Sequence, residues 1–440
     1  METVKVNFQT VTGPVKPMHA VNNGPIAKEE SSNNFEDFRE LKIPLVRNHD
    51  ASFCADYGGE HIVDVHVIFP NFDADPEDPA SYDFVLTDIY IRSIVEAGCQ
   101  VYYRLGTKIE HEVKKYGTLV PKDFHKWAVI CEHIIRHYNE GWADGYHWDI
   151  RWWQIWNEPD GIAGNGDQPN WSGTPEQFYE LYDITSRHLK ACFPDLKIGG
   201  PAMSFVNEPW LRGLLHYIKR SGDPAPMDFI GFHWYGREPA HMRMRCRELR
   251  QILDEEGYPQ TLTSMDEWNY LVNFGEGFRE SVRGIQSERG AAFTAAVMCC
   301  GQQEPVDILM YYDARPRTAY NGLFDFYSLY PKKTYYALRM FSELYQLGSA
   351  AESESSDPLY ACAATDGTRH AVMIACYSMD RNISAQKVQL SLSGMNMDKL
   401  RAYYLDAGRT MLTGRFRSGL SELRMEPDSV VLLTDYDIYD

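Results

Sequence analysis

The sequence predicts an α/β fold: a (β/α)8 TIM barrel over residues 16–347, then a small C-terminal antiparallel β-sandwich over 348–440 that the N-terminal strand 1–15 joins. Three observations lead there. From about 16 to 343, short β-rich runs alternate with amphipathic helical runs, the pattern of parallel βα units. Those β-rich runs number eight, the count that closes a barrel. Past Leu347 the pattern changes to alternating apolar positions such as Val388, Leu390 and Leu392.

Taken in order, the expected barrel strands are 18–21, 44–48, 100–105, 150–156, 197–199, 228–234, 260–265 and 306–312. Helices fill the intervals. The clearest begins after Thr174, an N-cap with Pro175 at the first helical position and Gln177 to complete a capping box. Phe178, Leu181, Tyr182 and Leu189 mark its buried stripe. Beyond the barrel, AAESESSDP (350–358) reads as a polar linker, and 360–364 and 370–377 flank Asp366-Gly367 as a hairpin does. With eight strands already assigned, 4–8 is left to join the tail sheet.

Composition excludes several classes. The 440 residues carry 43 Lys and Arg against 62 Asp and Glu, a formal charge of −19 that repels phosphate backbones and anionic lipid, so no nucleic-acid or membrane partner is expected. At 44% hydrophobic and 24% charged the chain can bury a large core. Its nine cysteines, two of them the neighbours Cys299 and Cys300, follow no disulfide spacing. Together with a start that lacks a secretory signal, this favours the cytoplasm, or the periplasm or exterior if a signal was removed. A homo-oligomer is left open.

The chemistry concentrates at two strand ends. In WWQIWNEPD (152–160), Glu158 follows a nearly continuous apolar run and precedes Pro159, which stops further pairing. In TSMDEWN (263–269), Glu267 again stands where an extended run meets its loop, three strands later. A barrel carries its functional groups at these C-terminal strand ends. Side chains pointing inward bring two such carboxyls to the roughly 5–5.5 Å that a retaining glycosidase needs. At ~5 Å with an effective dielectric near 20 their repulsion is about 3 kcal/mol, enough to keep one protonated while the other is ionised.

Further motifs extend the pattern: VRNHD (46–50), SYDF (81–84), GTPEQFYELYDITSRHLK (173–190), IGGPA (198–202) and DFIGFHWYG (228–236). With WQIWNEPD and DEWN, they resemble glycoside hydrolase family 39, a family of retaining (β/α)8-barrel β-xylosidases and α-L-iduronidases. The resemblance implies that Glu158 is the general acid/base and Glu267 the nucleophile. It further implies that Asn157 binds the sugar 2-hydroxyl, that Tyr235 orients the nucleophile, and that Arg47, His49 and His233 line the sugar subsite. Trp234 and Trp268 are expected as site walls because each adjoins such a residue.

Departures from the family pattern bear on the sugar. The third strand ends in Arg104-Leu105-Gly106 where an acidic or aromatic end is usual, and the eighth ends in Tyr311-Tyr312-Asp313 where a Trp-containing run is usual. Asp266 replaces a Thr common in relatives and either faces the barrel wall or adds a third charge.

Other clusters read as structural. Cys131, His133 and His137 could ligate zinc from one helix but fit a solvated or half-buried face better. Asp73, Asp75, Glu77 and Asp78 resemble part of a calcium loop, but Pro76 and Pro79 and the missing Gly and distal Glu spoil the match, and they read as a solvated acidic loop. Gly164-Asn165-Gly166 lacks the rest of a phosphate-binding fingerprint and reads as a flexible active-site loop. No metal or cofactor is called for.

The expected activity is a retaining exo-glycoside hydrolase that releases a terminal sugar, foremost β-D-xylose, from an oligosaccharide or glycoside through a covalent glycosyl-enzyme. An α-L-iduronidase or α-L-arabinosidase would use the same carboxylates. A uronic acid would need a cation, for which Arg104, Arg315 and Arg317 stand at strand ends. The alternative from another class is a non-catalytic carbohydrate-binding barrel.

Overall fold

The computed structural model describes residues 2–51, 59–111, 113–161, 168–411 and 414–440. The first strand, β1 (Glu2–Pro14), precedes the barrel. The barrel strands are β2 (Ala20–Asn22), β3 (Leu45–Asn48), β4 (Gln100–Leu105), β5 (Trp152–Ile155), β6 (Lys197–Gly199), β7 (Ala202–Met203), β8 (Phe229–Gly236), β9 (Leu262–Tyr270) and β10 (Ile308–Tyr311). They pair in parallel in the order β6-β5-β4-β3-β2-β10-β9-β8-β7.

The ends of that order are β6, which is the expected fifth strand, and β7, a second piece that continues it beyond the expected end. Gly200 and Pro201 separate the two: Gly200 sits at φ +108°, where a Cβ would meet the Ile155 carbonyl at 2.8 Å, and Pro201 has no N–H to give the ladder. β6 pairs with β5 and β7 with β8, and this broken strand closes the barrel. The helix after Thr174, Pro175–Cys192, carries the expected capping box, with Thr174 N donating to Gln177 Oε1 at 2.9 Å and Gln177 N to Thr174 Oγ1 at 3.3 Å.

The second sheet comprises β11 (Ser349–Ser355), β12 (Leu359–Thr365), β13 (His370–Cys376), β14 (Gln386–Ser393), β15 (Arg401–Leu405), β16 (Arg415–Phe416), β17 (Glu422–Met425) and β18 (Ser429–Thr434). Its order is β16-β15-β18-β13-β12-β11-β1-β14-β17, with β1 and β14 parallel and every other pair antiparallel. Residues 350–358 are therefore not a linker: most of them form β11, which pairs with β1 and β12. Only Ala350 and Ala351 in β11 are buried, so its exposed Glu and Ser side chains gave it the look of a loop.

β13 is buried at every position from Ala371 to Cys376 because both its faces are covered. Val372 and Ile374 join Val4, Val6 and Leu390 in the core of the sheet domain, whereas Ala371, Met373 and Ala375 join the barrel's core cluster. The alternation of side chains along a strand makes that division possible. No helix among the described residues is long and apolar enough to cross a membrane.

Candidate active site

The backbone that carries Glu158 is strained. Trp156 and Glu158 adopt φ of 75° and 47°, in the left-handed region that costs a non-glycine residue of order 1–3 kcal/mol. The surroundings over-determine it. Trp156 N donates to the Leu105 carbonyl at 2.8 Å, its indole N–H to the Asn170 carbonyl at 2.8 Å, and Glu158 N to the Ala202 carbonyl at 2.6 Å. Asn170 also donates its side-chain amide to Glu158 Oε2 at 3.1 Å. Asn170 enters no sequence argument for the site, because its role depends on how a loop folds back twelve positions after Glu158.

Glu267 lies on β9 beside a bulge. The β8/β9 register runs Phe232↔Met265 and then His233↔Glu267, leaving Asp266 as the extra residue. A bulge lets two successive side chains face the same way, and both Asp266 and Glu267 turn into the barrel. Asp266 thus adds a third, fully buried acid, which accepts from Gln154 Nε2 and lies 3.6 Å from His233 Nε2 and 4.0 Å from Arg47 Nε. Burial raises its pKa.

Arg47 ties the floor together. Its Nε donates to Gln154 Oε1 at 2.8 Å, Nη1 to Asn22 Oδ1 at 3.0 Å and Glu267 Oε1 at 2.8 Å, and Nη2 to Asn157 Oδ1 at 2.7 Å. A planar guanidinium serves this divergent set of acceptors where an ammonium would not. Glu267 Oε2 accepts from the Tyr235 hydroxyl at 2.8 Å, and His49 Nε2 lies 3.4 Å from Oε1.

His233 stands between the two glutamates, with Nδ1 2.6 Å from Glu158 Oε1 and 3.4 Å from Glu267 Oε2. One oxygen of each carboxylate and a His233 ring nitrogen all fall within 4.8 Å of one another. Burial alone would deprotonate His233, but Glu267, Glu158 and Asp266 outweigh it and push its pKa up to about 9. Burial likewise opposes ionisation of Glu267, yet His233, His49, Arg47 and the Tyr235 hydrogen bond hold it down to about 2. The site at neutral pH therefore contains an ionised Glu267 and a cationic His233.

Sequence proximity misleads for two residues. Trp234 and Trp268, expected as site walls, face the helical layer: both pack against Phe293 of helix Glu288–Gln303, at 6.0 and 6.2 Å between ring centroids. They follow His233 and Glu267 by one position, and one position along a strand reverses the face.

Cations and acids around the mouth are paired. Arg104 donates to Asp64 Oδ1 at 2.7 Å and to the His49 carbonyl at 3.0 Å. Arg315 lies 3.0 Å from Glu60, 3.3 Å from Asp313 and 3.8 Å from Asp50, and Lys108 reaches Asp50 at 3.3 Å and also Glu60. Tyr312 donates its hydroxyl to Asp50 at 3.0 Å, and Tyr311 packs edge-on against Trp268, away from the site. Asn23 donates to Asp313 at 2.8 Å.

Among the described residues three groups have metal-ligand spacing: Glu158, His233 and Glu267; His61, Asp64 and His66; Glu132, His188 and Cys192. In the first, His233 Nδ1 is engaged by Glu158 and Arg47 holds Glu267. In the others, Asp64 is bound by Arg104 and Glu132 by Arg136 and His188. Cys131, His133 and His137 are buried rather than on a solvated face, with His133 bonded to the Val129 carbonyl and His137 to the Trp142 carbonyl and Asp88. Asp73 in the acidic loop is exposed and pairs with Lys122. Gly164-Asn165-Gly166 lies outside the described residues.

Residues 49–259 match the model of the family described as glycosyl hydrolases family 39. A β-xylosidase from Geobacillus stearothermophilus is 22% identical over 254 residues, covering 51% of this chain and 47% of that protein, so the chain spans about half the length of this curated relative. Among solved structures, a glucosidase from Croceicoccus marinus superposes with a TM-score of 0.79 at 22% identity over 99% of this chain and 98% of that one. A monomeric β-xylosidase from Caulobacter crescentus gives 0.69 at 17% identity, covering 99% of each chain. These superpositions establish the same fold through both sheets.

Proposed function

From the match of residues 49–259 to the model of glycosyl hydrolases family 39, we propose that the chain is a retaining exo-glycosidase releasing a terminal sugar, foremost β-D-xylose, from oligosaccharides or glycosides. The observation that carries the reading is the approach of Glu158 and Glu267 oxygens within 4.8 Å about His233. That separation suits double displacement and leaves no room for the water that an inverting pair must hold between them.

In the first step Glu267 attacks the anomeric carbon as Glu158 gives its proton to the glycosidic oxygen, so the C–O bond to the leaving group breaks and a glycosyl ester forms. Water then attacks the same carbon, losing a proton to Glu158, and the ester bond returns its electrons to Glu267. Arg47, His49 and Tyr235 keep Glu267 ionised and oriented, and Asn157, fixed by Arg47, is set to bind the sugar 2-hydroxyl. In this reading residues 16–347 are the catalytic unit, and 348–440 with 1–15 are structural.

A neutral glycone is favoured over a uronic acid by the pairing of the cations near the mouth. Arg104 is committed to Asp64, and Arg315 and Lys108 to Asp50 and Glu60. An α-L-arabinosidase fits the same carboxylates. The test is a panel of aryl glycosides differing in the glycone, with the first-formed anomer followed by NMR. Fastest turnover of the xyloside with retained configuration is expected. An inverted first product overturns the mechanism, and inertness towards every glycone favours a carbohydrate-binding barrel.

A further inference from the structure

The two sides of the barrel mouth differ in chemistry. β2, β3 and β4 and the loops that follow them present hydrogen-bonding groups: Asn22, Asn23, Arg47, His49, Asp50 and Lys108. The loop after β9 presents rings instead. Phe274 is 68% exposed, and Phe278, which opens helix Phe278–Ile285, is 36% exposed.

These rings form a connected run. Phe274 lies 5.6 Å from the ring of Tyr235, whose hydroxyl binds Glu267. Phe278 lies 6.5 Å from Phe274 at an interplanar angle of 26° and stacks on Tyr320 at 5.8 Å and 10°. Tyr320 in turn stands 6.1 Å from Tyr235. The Phe274 segment is held in place, since Asn273 Oδ1 accepts from the N–H groups of both Gly275 and Gly277 at 2.9 Å. A preformed apolar surface that is left open to water beside polar catalytic groups marks a binding site more often than idle surface.

The glycone has hydroxyls on most carbons and needs the polar side. The leaving group, whose bond to the sugar is the one broken, has a flat face if it is a ring. On the glycosidase reading of Glu158 and Glu267, we infer that Phe274, Phe278 and Tyr320 form a stacking platform for the leaving group. The enzyme then selects ring-shaped leaving groups, whether a pyranose offering its C–H face or an aryl group, over open-chain alkyl ones.

The test compares wild type with Phe274→Ala and with Phe274→Ala/Phe278→Ala on three substrates of one glycone: the phenyl glycoside, the disaccharide and the methyl glycoside. Loss of stacking should lower kcat/KM about tenfold on ring leaving groups, chiefly through KM, and leave the methyl glycoside within about twofold. Phe274→Trp should restore the loss. A loss on the phenyl glycoside alone assigns the platform to aryl groups, and a loss on both ring substrates assigns it to any flat ring. Equal losses on all three, or none on the ring substrates, overturn the inference. Wild-type inertness towards all three overturns the glycosidase reading itself, and the platform with it. Because Phe274 is largely exposed, its truncation leaves the core intact, and an unchanged melting temperature separates lost stacking from lost folding.

Discussion

Nδ1 of His233 lies 2.6 Å from Oε1 of Glu158, with the histidine side chain wholly buried. The same ring faces Glu267 and Asp266, so a single imidazolium offsets three acids in a space where two carboxylates alone, with oxygens within 4.8 Å of each other, would repel by at least about 3.5 kcal/mol at an effective dielectric near 20.

Removing that cation should move the pH profile. In His233→Asn, Glu267 loses its largest favourable charge interaction, its pKa rises, and the acid limb of kcat/KM shifts upward by at least about one pH unit. Stability has two edges in the wild type. His233, raised to about 9, contributes fully below 6.5 and loses its contribution as pH climbs through 9. Glu267, lowered to about 2, contributes fully above 4.5 and loses its contribution as pH falls through 2. Thermal melts from pH 3 to 10 should give a plateau between about 4.5 and 6.5, with the alkaline fall absent from His233→Asn. A variant with an unmoved acid limb would show that His233 does not govern Glu267.

For the nucleophile, Glu267→Ala should abolish turnover of an activated aryl glycoside, and azide should restore it as a glycosyl azide of inverted configuration. Azide occupies the space of the lost carboxylate and attacks from the same face, without a second displacement. If the azide product keeps the substrate's configuration in Glu267→Ala while another variant gives the inverted one, the assignment of Glu267 fails.

Glu158 acts on the leaving oxygen, so its loss should depend on the leaving group. Glu158→Ala is expected to slow alkyl glycosides by at least about 100-fold more than a dinitrophenyl glycoside, whose leaving group departs without a proton. A leaving-group series run on both proteins checks this, and parallel lines would give Glu158 some other part.

Glu158 and Glu267 stand out in the sequence because each sits at the C-terminal end of an apolar strand, where a barrel exposes its side chains, whereas His233 and Tyr235 enter only through the resemblance of their motif. Arg47 was legible through its motif, although nothing in VRNHD announces the four acceptors it holds. Trp234 and Trp268 were misread because adjacency along the chain is not adjacency in space: a strand turns its next residue to the opposite face. The exception, Asp266, needs a bulge, and a bulge arises from mismatch between two strands that no single stretch of sequence displays. The same limit hid β11, whose exposed polar side chains resemble a linker until β1 and β12 are seen to bracket it.

The last prediction concerns β1 and the sheet it enters. β1 runs between β11 and β14, and its Val4, Val6 and Phe8 are buried in the sheet's own core. The opposite face of that sheet supplies Met373, Val430 and Leu432 to the cluster that includes Phe293, Val297 and Phe341 of the barrel helices. Arg289 fastens the same seam, pairing with Asp428 at 2.9 Å. Truncation after Gly348 would therefore leave β1 without its neighbours and the helices at 288–303 and 333–347 with apolar faces in water. At ~25 cal/mol per Å2, each 100 Å2 so uncovered costs about 2.5 kcal/mol, against a total stability of about 5–15 kcal/mol for a domain. The truncated chain should be recovered mainly as insoluble protein, while Val4→Asp, which keeps every strand, should stay soluble but melt at least about 5 °C lower. Activity per folded molecule of Val4→Asp should match the wild type, since Val4 lies in the sheet's own core, on the face turned away from the barrel helices. A truncated protein that is soluble, as heat-resistant as the full chain and fully active would make the second sheet an independent module rather than a structural part of the barrel.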